Sequence, residues 1–166
     1  VEAMTGVAFF TAAAELLKQQ PPHLIDWPFV QRMQRIGLTA GASFDASAQA
    51  DAVVAAMNAA PAKAIDMMTW KFPRISAPVN QWSIMTGGIG TYGTAYFQRA
   101  VIAKFGLGSN VPQDSVYPLS FTDADGNTFD GNNTYVLHFD KSELPPVEAG
   151  RFFVYGSHDA DKVPED

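Results

Sequence analysis

Hydrophobic residues in the first 70 positions recur every three or four residues, which is the spacing of one face of an α-helix. The spacing predicts a first helix that begins after Thr5 and ends near Gln19. Thr5 is a favourable N-cap residue, and Pro21-Pro22 prevent the helix from continuing. The apolar face of this helix carries Phe9, Phe10, Ala13, Leu16 and Leu17.

Two further helices are predicted in the same region. The second follows Asp26, a candidate N-cap residue, has Pro28 in its first turn and ends at Gly37. The third begins near Ala46. Because proline has no backbone N–H, Pro61 is expected to kink or divide the third helix. Short connections between the three predict a compact helical layer.

Beyond residue 71 the pattern becomes typical of β-structure. Residues 115–122 and 134–139 are rich in β-branched and aromatic residues, and 151–155 form a shorter run of the same kind. Pro118 restricts the first of these strands to a sheet edge or a bulge. Residues 123–126 and 130–133 carry the Asp, Asn and Gly of turns.

The chain is therefore predicted to be an α+β protein with three parts. Residues 1–70 form a helical subdomain, 71–111 a glycine and aromatic hinge with one helix, and 112–166 an antiparallel β portion. Three or four strands are few for a sandwich, which usually has about seven or more. The sheet is expected to be completed by a partner, a second copy or a missing domain of the same protein.

The stretch from Trp82 to Tyr117 joins the helical and β halves. Gly88, Gly90 and Gly93 fit the G-x-G-x-x-G pattern of dinucleotide sites. That reading needs a buried parallel strand in front of the glycines, and residues 80–86 are a poor candidate for one. The favoured interpretation is a loop that passes closely under aromatic side chains and leads into a helix over 94–104. Gly106 and Gly108 are expected to end that helix in a left-handed conformation.

The amino-acid composition excludes several classes of function and of site. The 166 residues are 47% hydrophobic and 17% charged, with a formal net charge of −6, which is typical of a globular protein and unsuited to general nucleic-acid binding. The absence of cysteine excludes disulfides and thiolate sites. No stretch is long and apolar enough to cross a bilayer, and the first residues do not resemble a signal peptide. The compartment, bacterial cytoplasm or periplasm, stays open.

No catalytic or metal-binding pattern emerges from the polar residues. Asp123, Asp125 and Asn127 imitate the start of a calcium loop, but the glycine and glutamate positions of an EF-hand are not matched. His23, His138 and His158 lack the spacing of a zinc site. There is also no G-x-S-x-G elbow. We therefore predict neither a cofactor nor a metal site.

Aromatic and basic side chains gather near the centre of the chain and form the candidate ligand-binding set: Trp82, Tyr92, Tyr96, Arg99, Tyr117 and His138. Two hypotheses follow. The first is a non-enzymatic binding or assembly module, expected as a homo-oligomer. The second is a small-molecule-binding protein or enzyme with a cleft between helices and sheet. For Arg99 there is also a structural interpretation, in which its aliphatic part packs on the core and its guanidinium pairs with a nearby carboxylate or carbonyl.

Several short motifs in order resemble a bacterial family that joins domains of unknown function 1254 and 1214. In the helical part these are Phe9-Phe10, Leu17-Lys18, Pro21-Pro22-His23, Asp26-Trp27-Pro28 and Arg35-Ile36-Gly37-Leu38. Further along they are Thr86-Gly87, Gly90-x-Tyr92-Gly93, Tyr96-x-x-Arg99-Ala100, Gly106-x-Gly108-x-Asn110, Val116-Tyr117-Pro118, Thr122-Asp123-Ala124-Asp125-Gly126, Asp130-Gly131, Tyr135-Val136-Leu137-His138-Phe139 and Leu144-Pro145-Pro146-Val147.

The resemblance spans roughly residues 2–149 and implies a jelly-roll β-sandwich with a helical insertion, to which no activity is attached. The chain would cover the helical linker and the start of the 1214 domain. Residues 150–155 are only loosely similar to the aromatic-rich strand that usually follows in the family, and the later strands are not present. The expectation is a shortened member of the family or a piece of one, with an incomplete sandwich.

Overall fold

Four α-helices and a two-stranded antiparallel sheet make up the regular structure in a computed structural model that describes residues 3–142 and residue 144. The elements are α1 (Gly6–Gln19), α2 (Trp27–Gln34), α3 (Asp51–Lys71), β1 (Ser83–Ile84), α4 (Tyr96–Phe105) and β2 (Pro118–Leu119). Short 3-10 turns occupy Leu24–Asp26, Ala46–Ala48 and Phe72–Arg74. Helices beside a small antiparallel sheet confirm the α+β class.

The chain divides into two units, Val1–Phe129 and Asp130–Asp166. The helices and strands named above all lie in the first unit. The predicted strand at 151–155 lies outside the described residues. Residues 134–139 are described and do not form a hydrogen-bonded strand. Within the second unit, the Tyr135 hydroxyl accepts the N–H of Asp130 at 2.8 Å, which ties the Tyr135 side chain to the preceding turn.

Local hydrogen bonds explain where the first two helices begin and end. The Thr5 hydroxyl accepts the N–H of Ala8 at 3.3 Å, which confirms Thr5 as the N-cap of α1. After α2, Gly37 adopts a φ of 81°, and the Leu38 N–H reaches the Met33 carbonyl at 3.1 Å. This is a Schellman ending, which needs the left-handed residue that glycine supplies.

Asp26 was predicted to cap α2, but it caps the 3-10 turn that precedes α2. Its side chain makes no capping bond to α2. Instead, its carboxylate accepts the N–H of His23 at 3.1 Å, while His23 Nδ1 accepts the N–H of Ile25 at 3.2 Å. The two side chains form a reciprocal capping box around the 3-10 turn that precedes α2. The motif Pro-His-x-x-Asp therefore sets the chain direction after α1.

The closest approach between helices joins the start of α1 to the middle of α3. A Cβ placed on Gly6 would lie 2.0 Å from the carbonyl oxygen of Met57, so only glycine permits this contact. That carbonyl is the one whose helical partner would be the N–H of residue 61, which is a proline. One residue along, Asn58 Oδ1 accepts the N–H of Val7 at 3.1 Å.

Pro61 does not divide the third helix, because α3 is continuous from Asp51 to Lys71. Of the two effects predicted from sequence, a kink or a division, the division is therefore wrong, and the kink stays a prediction. The proline removes one backbone hydrogen bond, and the freed Met57 carbonyl faces the Cα of Gly6 at the helix crossing. Contacts between a Cα–H and a carbonyl oxygen are a recognised feature of close helix interfaces.

The core of the helical layer lies beside this crossing. Ala14, Leu38, Phe44 and Met57 are buried together, with Phe10, Leu17, Met33, Ile36, Ala46 and Val53 packed around them. Val101 and Ile102 on α4 are also buried. The Phe72 ring, in the turn after α3, stacks on Phe105 at the end of α4 with centroids 4.5 Å apart.

The sheet of the described region is small. Ser83 pairs with Leu119 and Ile84 with Pro118. Val79 and Trp82 form a bridge next to β1, with their N–H and C=O groups bonded in both directions at 2.8 and 2.9 Å. Asn80 and Gln81 between them both have positive φ, as a two-residue hairpin turn with the right twist requires. Pro118 has no N–H, which agrees with its predicted edge position.

We expect the substitution Gly6→Ala to destabilise the fold by about 1–3 kcal/mol, the range found for overpacked cores. The added methyl group would meet the backbone of Met57 and Asn58, which cannot rotate away as a flexible side chain would. Equilibrium urea unfolding followed by circular dichroism measures the change.

Gly87→Ala is the matched control, since a Cβ at Gly87 has no neighbour within 4 Å. This variant should stay within about 0.5 kcal/mol of the wild type. Equal effects of the two substitutions would show that the crossing at Gly6 does not limit stability.

Candidate functional site

An open groove of about 480 Å³ runs along one side of α4. We call it the Arg99 groove. It is lined by Gly90, Tyr92, Gly93, Arg99, Ala103, Leu107, Gly108 and Ser109. Two of the six predicted ligand-binding residues, Tyr92 and Arg99, therefore lie on the same cavity.

The Arg99 groove has its floor on a helix and its walls on glycine-containing loops. Arg99 and Ala103 are one turn apart on α4, about 6 Å along the helix axis. The loop before α4 is held in place by Gln98, whose Nε2 donates to the carbonyl of Gly87 at 3.0 Å. Gly90 approaches Val111 so closely that an added Cβ would lie 2.9 Å from Val111 Cγ1. The two loops are thereby packed against each other at one end of the groove.

Arg99 is the one charged side chain among the described residues that line the groove. It is exposed, and none of the described side chains or carbonyls lies within hydrogen-bond or ion-pair distance of its guanidinium. The local pairing considered for Arg99 from sequence is therefore not observed in the described part of the chain. Tyr92 and Ser109 add two hydroxyl groups to the same lining.

The end of α4 carries an unusual backbone conformation. Leu107 has a φ of 57°, whereas the neighbouring Gly106 has a φ of −131°. The expectation that Gly106 and Gly108 would take the left-handed positions is wrong, because the leucine between them takes one. The left-handed helical conformation costs a non-glycine residue roughly 1–2 kcal/mol. Leu107 is also 90% exposed, so burial of its side chain in the core does not compensate for this strain.

Tyr96 has a structural partner instead of a place in the groove. Its hydroxyl donates to Asp26 Oδ1 at 2.8 Å, across 70 residues of sequence. Its ring lies on Phe29 of α2, with centroids 4.6 Å apart and an interplanar angle of 31°. Tyr96 therefore fixes the first turn of α4 to the segment between α1 and α2.

The hydrogen bond to Asp26 raises the pKa of the Tyr96 phenol above its ordinary value of 10.0. Partial burial and the negative charge of Asp26 act in the same direction, while Arg32 and Arg99 oppose them. The protonated phenol is the form that the fold favours, because only a phenol with its proton can donate to the carboxylate.

The other three predicted residues do not line this groove. Trp82 is partly buried in the hairpin turn with Val79. Tyr117 is exposed, and its hydroxyl accepts from Asn110 Nδ2 at 3.2 Å. In the second unit, His138 is exposed with its Nε2 3.3 Å from Asp140 Oδ1.

The loop that imitates the start of a calcium site uses its carboxylate internally. Asp123 Oδ1 accepts the N–H groups of Asp125 and Asn127 at 3.0 and 2.8 Å. The Asn127 N–H is the main cause that lowers the pKa of Asp123, with the side chain of Asn127 and the N–H groups of Asp125 and Gly126 adding to it. Within the described ranges, histidine and carboxylate side chains form no cluster of three or more arranged around a metal position. The turn interpretation accounts for this segment.

Six of the described lining residues were not in the predicted ligand-binding set: Gly90, Gly93, Ala103, Leu107, Gly108 and Ser109. Ala103 carries a usable signal, because it lies four residues after Arg99 and must share its helix face. Leu107 and Ser109 carry none, since their positions depend on how the chain turns after α4.

Comparison with known proteins gives one match. Residues 114–160 match the profile of a family described as Protein of unknown function (DUF1214). No curated protein and no solved structure matches the chain. None of the helices in the described part of the chain has both the length and the apolar character needed to span a bilayer.

The substitution Tyr96→Phe should lower stability at neutral pH, because it removes the bond to Asp26 and keeps the ring on Phe29. A tyrosine whose pKa is raised by folding contributes stability below its unfolded pKa and loses it as pH rises through the folded value. The stability difference between wild type and Tyr96→Phe should therefore shrink above pH 10.0. Urea unfolding at a series of pH values measures it.

Tyr92→Phe provides the control for loss of a phenol hydroxyl. Tyr92 lies on the groove and has no carboxylate partner among the described residues. We expect its free energy of unfolding to match that of the wild type at neutral pH. A Tyr96→Phe variant as stable as wild type across the pH series would show that the Asp26 contact does not hold α4.

Proposed function

We propose that this chain is a binding or assembly module whose β portion is completed by another polypeptide, either a partner or a second copy. In this proposal residues 1–70 form a helical subdomain, and 71–111 form a hinge with α4. Residues 112–166 form part of a jelly-roll sandwich. The DUF1214 match over 114–160 supports placing the β portion in a family domain of its own.

The observation that carries the proposal is an apolar run between residues 116 and 144 that folding of the described chain leaves exposed. Its exposed large hydrophobic residues are Val116, Tyr117, Phe121, Phe129, Tyr135, Val136, Leu137, Phe139 and Leu144. Single exposed hydrophobic residues are ordinary, but four of these nine lie within residues 116–129 of the first unit and five within 135–144 of the second. Exposed hydrophobic residues this frequent in each segment are typical of surfaces that another protein covers. Val136 is the extreme case, with 88% of its surface exposed.

The size of the sheet supports the same proposal. β1 and β2 contain two residues each, and two-stranded sheets are only marginally stable without further strands or packing. Pro118 limits how a partner can add to this sheet, because a strand beside β2 would find no N–H at that residue. Packing of apolar side chains is therefore the favoured mode of completion, with strand addition at β2 disfavoured.

The alternative, a cleft lined by all six predicted residues between helices and sheet, has less support. Tyr96 and Tyr117 use their hydroxyls in other contacts. Trp82 is held in its own hairpin turn. What remains of this alternative is the Arg99 groove with Tyr92, which belongs to α4 and its flanking loops.

Self-association is the first form of the proposal to test. Sedimentation velocity should show the wild-type chain forming a dimer or larger oligomer as its concentration rises through the micromolar range. Val136→Lys should weaken that association by about tenfold or more, since a charge in an apolar contact opposes its burial. Circular dichroism checks that the variant remains folded.

Gln113→Lys is the matched control, because it adds the same charge at an exposed polar residue outside the apolar run. It should leave the association constant unchanged. If the wild type stays monomeric at all concentrations and binds no apolar dye, its hydrophobic residues are covered within the chain and the proposal fails.

A further inference from the structure

We propose that the Arg99 groove binds a small organic carboxylate with an apolar tail. The carboxylate would meet the guanidinium of Arg99, and the tail would lie toward Ala103 and Leu107. This inference is independent of the assembly proposal, because none of the groove residues belongs to the apolar run between 116 and 144.

The charge in the groove favours an anion. Arg99 projects from α4 into a groove that has no carboxylate among its described lining residues, and the described chain gives its guanidinium no hydrogen-bonding or ion-pair partner. Guanidinium groups bind carboxylates through two parallel hydrogen bonds. The hydroxyls of Tyr92 and Ser109 line the same groove and can donate to the same anion.

The number of cations distinguishes a carboxylate from a phosphate. Phosphate sites commonly combine several cationic or backbone donors around a doubly charged group. Among the described residues that line it, the Arg99 groove has one cation, an arginine, which matches the single charge of a carboxylate. Its volume of about 480 Å³ falls in the range of small-molecule sites and is more than a bare carboxylate needs.

The strained leucine indicates what fills the remaining volume. Leu107 keeps a large apolar side chain in a left-handed conformation, between two glycines that would adopt it without strain. Strained residues that packing does not explain occur frequently at ligand sites. Leu107 lines the groove together with Ala103, which lies one turn beyond Arg99 on α4, so the groove lining includes apolar as well as polar side chains.

Titration of the full chain with hexanoate, followed by nitrogen-15 nuclear magnetic resonance, tests the proposal. We expect saturable shifts of the amide signals of Gly90, Gly93, Ala103, Leu107, Gly108 and Ser109. Acetate should bind more weakly, because it lacks the tail, and hexanamide should not bind, because it lacks the charge. Inorganic phosphate should bind no better than acetate.

Three variants separate the contributions of the charge and of the apolar side chain to binding. Arg99→Ala should weaken hexanoate binding by about tenfold or more, as expected when a charged hydrogen-bond partner is lost. Arg35→Ala, which removes an exposed arginine outside the groove, should change nothing. Leu107→Gly should weaken hexanoate several-fold, leave acetate unchanged and raise the urea midpoint, since apolar contact is lost and backbone strain is relieved.

The proposal is overturned if hexanoate gives no saturable shifts, or if the shifts lie outside the groove. Equal weakening by Arg99→Ala and Arg35→Ala would also overturn it, because that result indicates attraction to net charge alone. Tighter binding of phosphate than of hexanoate would assign the groove to a different ligand class. The shift map of the wild-type chain decides the matter even if Arg99→Ala does not fold.

Discussion

The close approach of α1 to α3 at Gly6 is the constraint on which the helical layer depends. A residue without a side chain meets a backbone carbonyl that the helix itself leaves without its usual donor, because Pro61 stands four residues after Met57. Asn58 supplies the acceptor that the first N–H groups of α1 need, through its bond to Val7. Together, Pro61, Asn58 and Gly6 allow α1 and α3 to pack closely at this crossing. Met57 belongs at the same time to the buried cluster of Ala14, Leu38 and Phe44.

The position of α4 follows from this arrangement. Because α3 stays helical through Pro61, it ends at Lys71 and places Phe72 against Phe105 at the far end of α4. Tyr96 holds the near end through Asp26 and Phe29. Val101 and Ile102 are buried, which leaves the helix face with Arg99 and Ala103 open. The Arg99 groove exists because α4 is held at both ends and packed along one side.

Two kinds of exposed surface are formed by different segments of the chain. The run between 116 and 144 is hydrophobic and overlaps the DUF1214 match, whereas the described lining of the Arg99 groove combines one positive charge with two hydroxyls and the side chains of Ala103 and Leu107. Hydrophobic surface favours association without strong directionality, while a guanidinium selects a group of defined shape and charge. In the two proposals, protein association and ligand binding therefore depend on different residues and are expected to respond to different substitutions.

The sequence by itself determined the helical elements, the two Asp-rich turns and the edge position of Pro118, because capping residues, apolar periodicity and proline act over a few residues. Two of the six residues predicted from sequence to bind a ligand, Tyr92 and Arg99, line the same groove, and binding of a ligand by them stays a prediction. Only the tertiary structure decided that Pro61 leaves α3 intact, since this depends on what lies against the Met57 carbonyl. The same holds for the left-handed conformation of Leu107 and for the partner of Tyr96 seventy residues away. Each of these depends on contacts between distant segments, which local patterns do not encode.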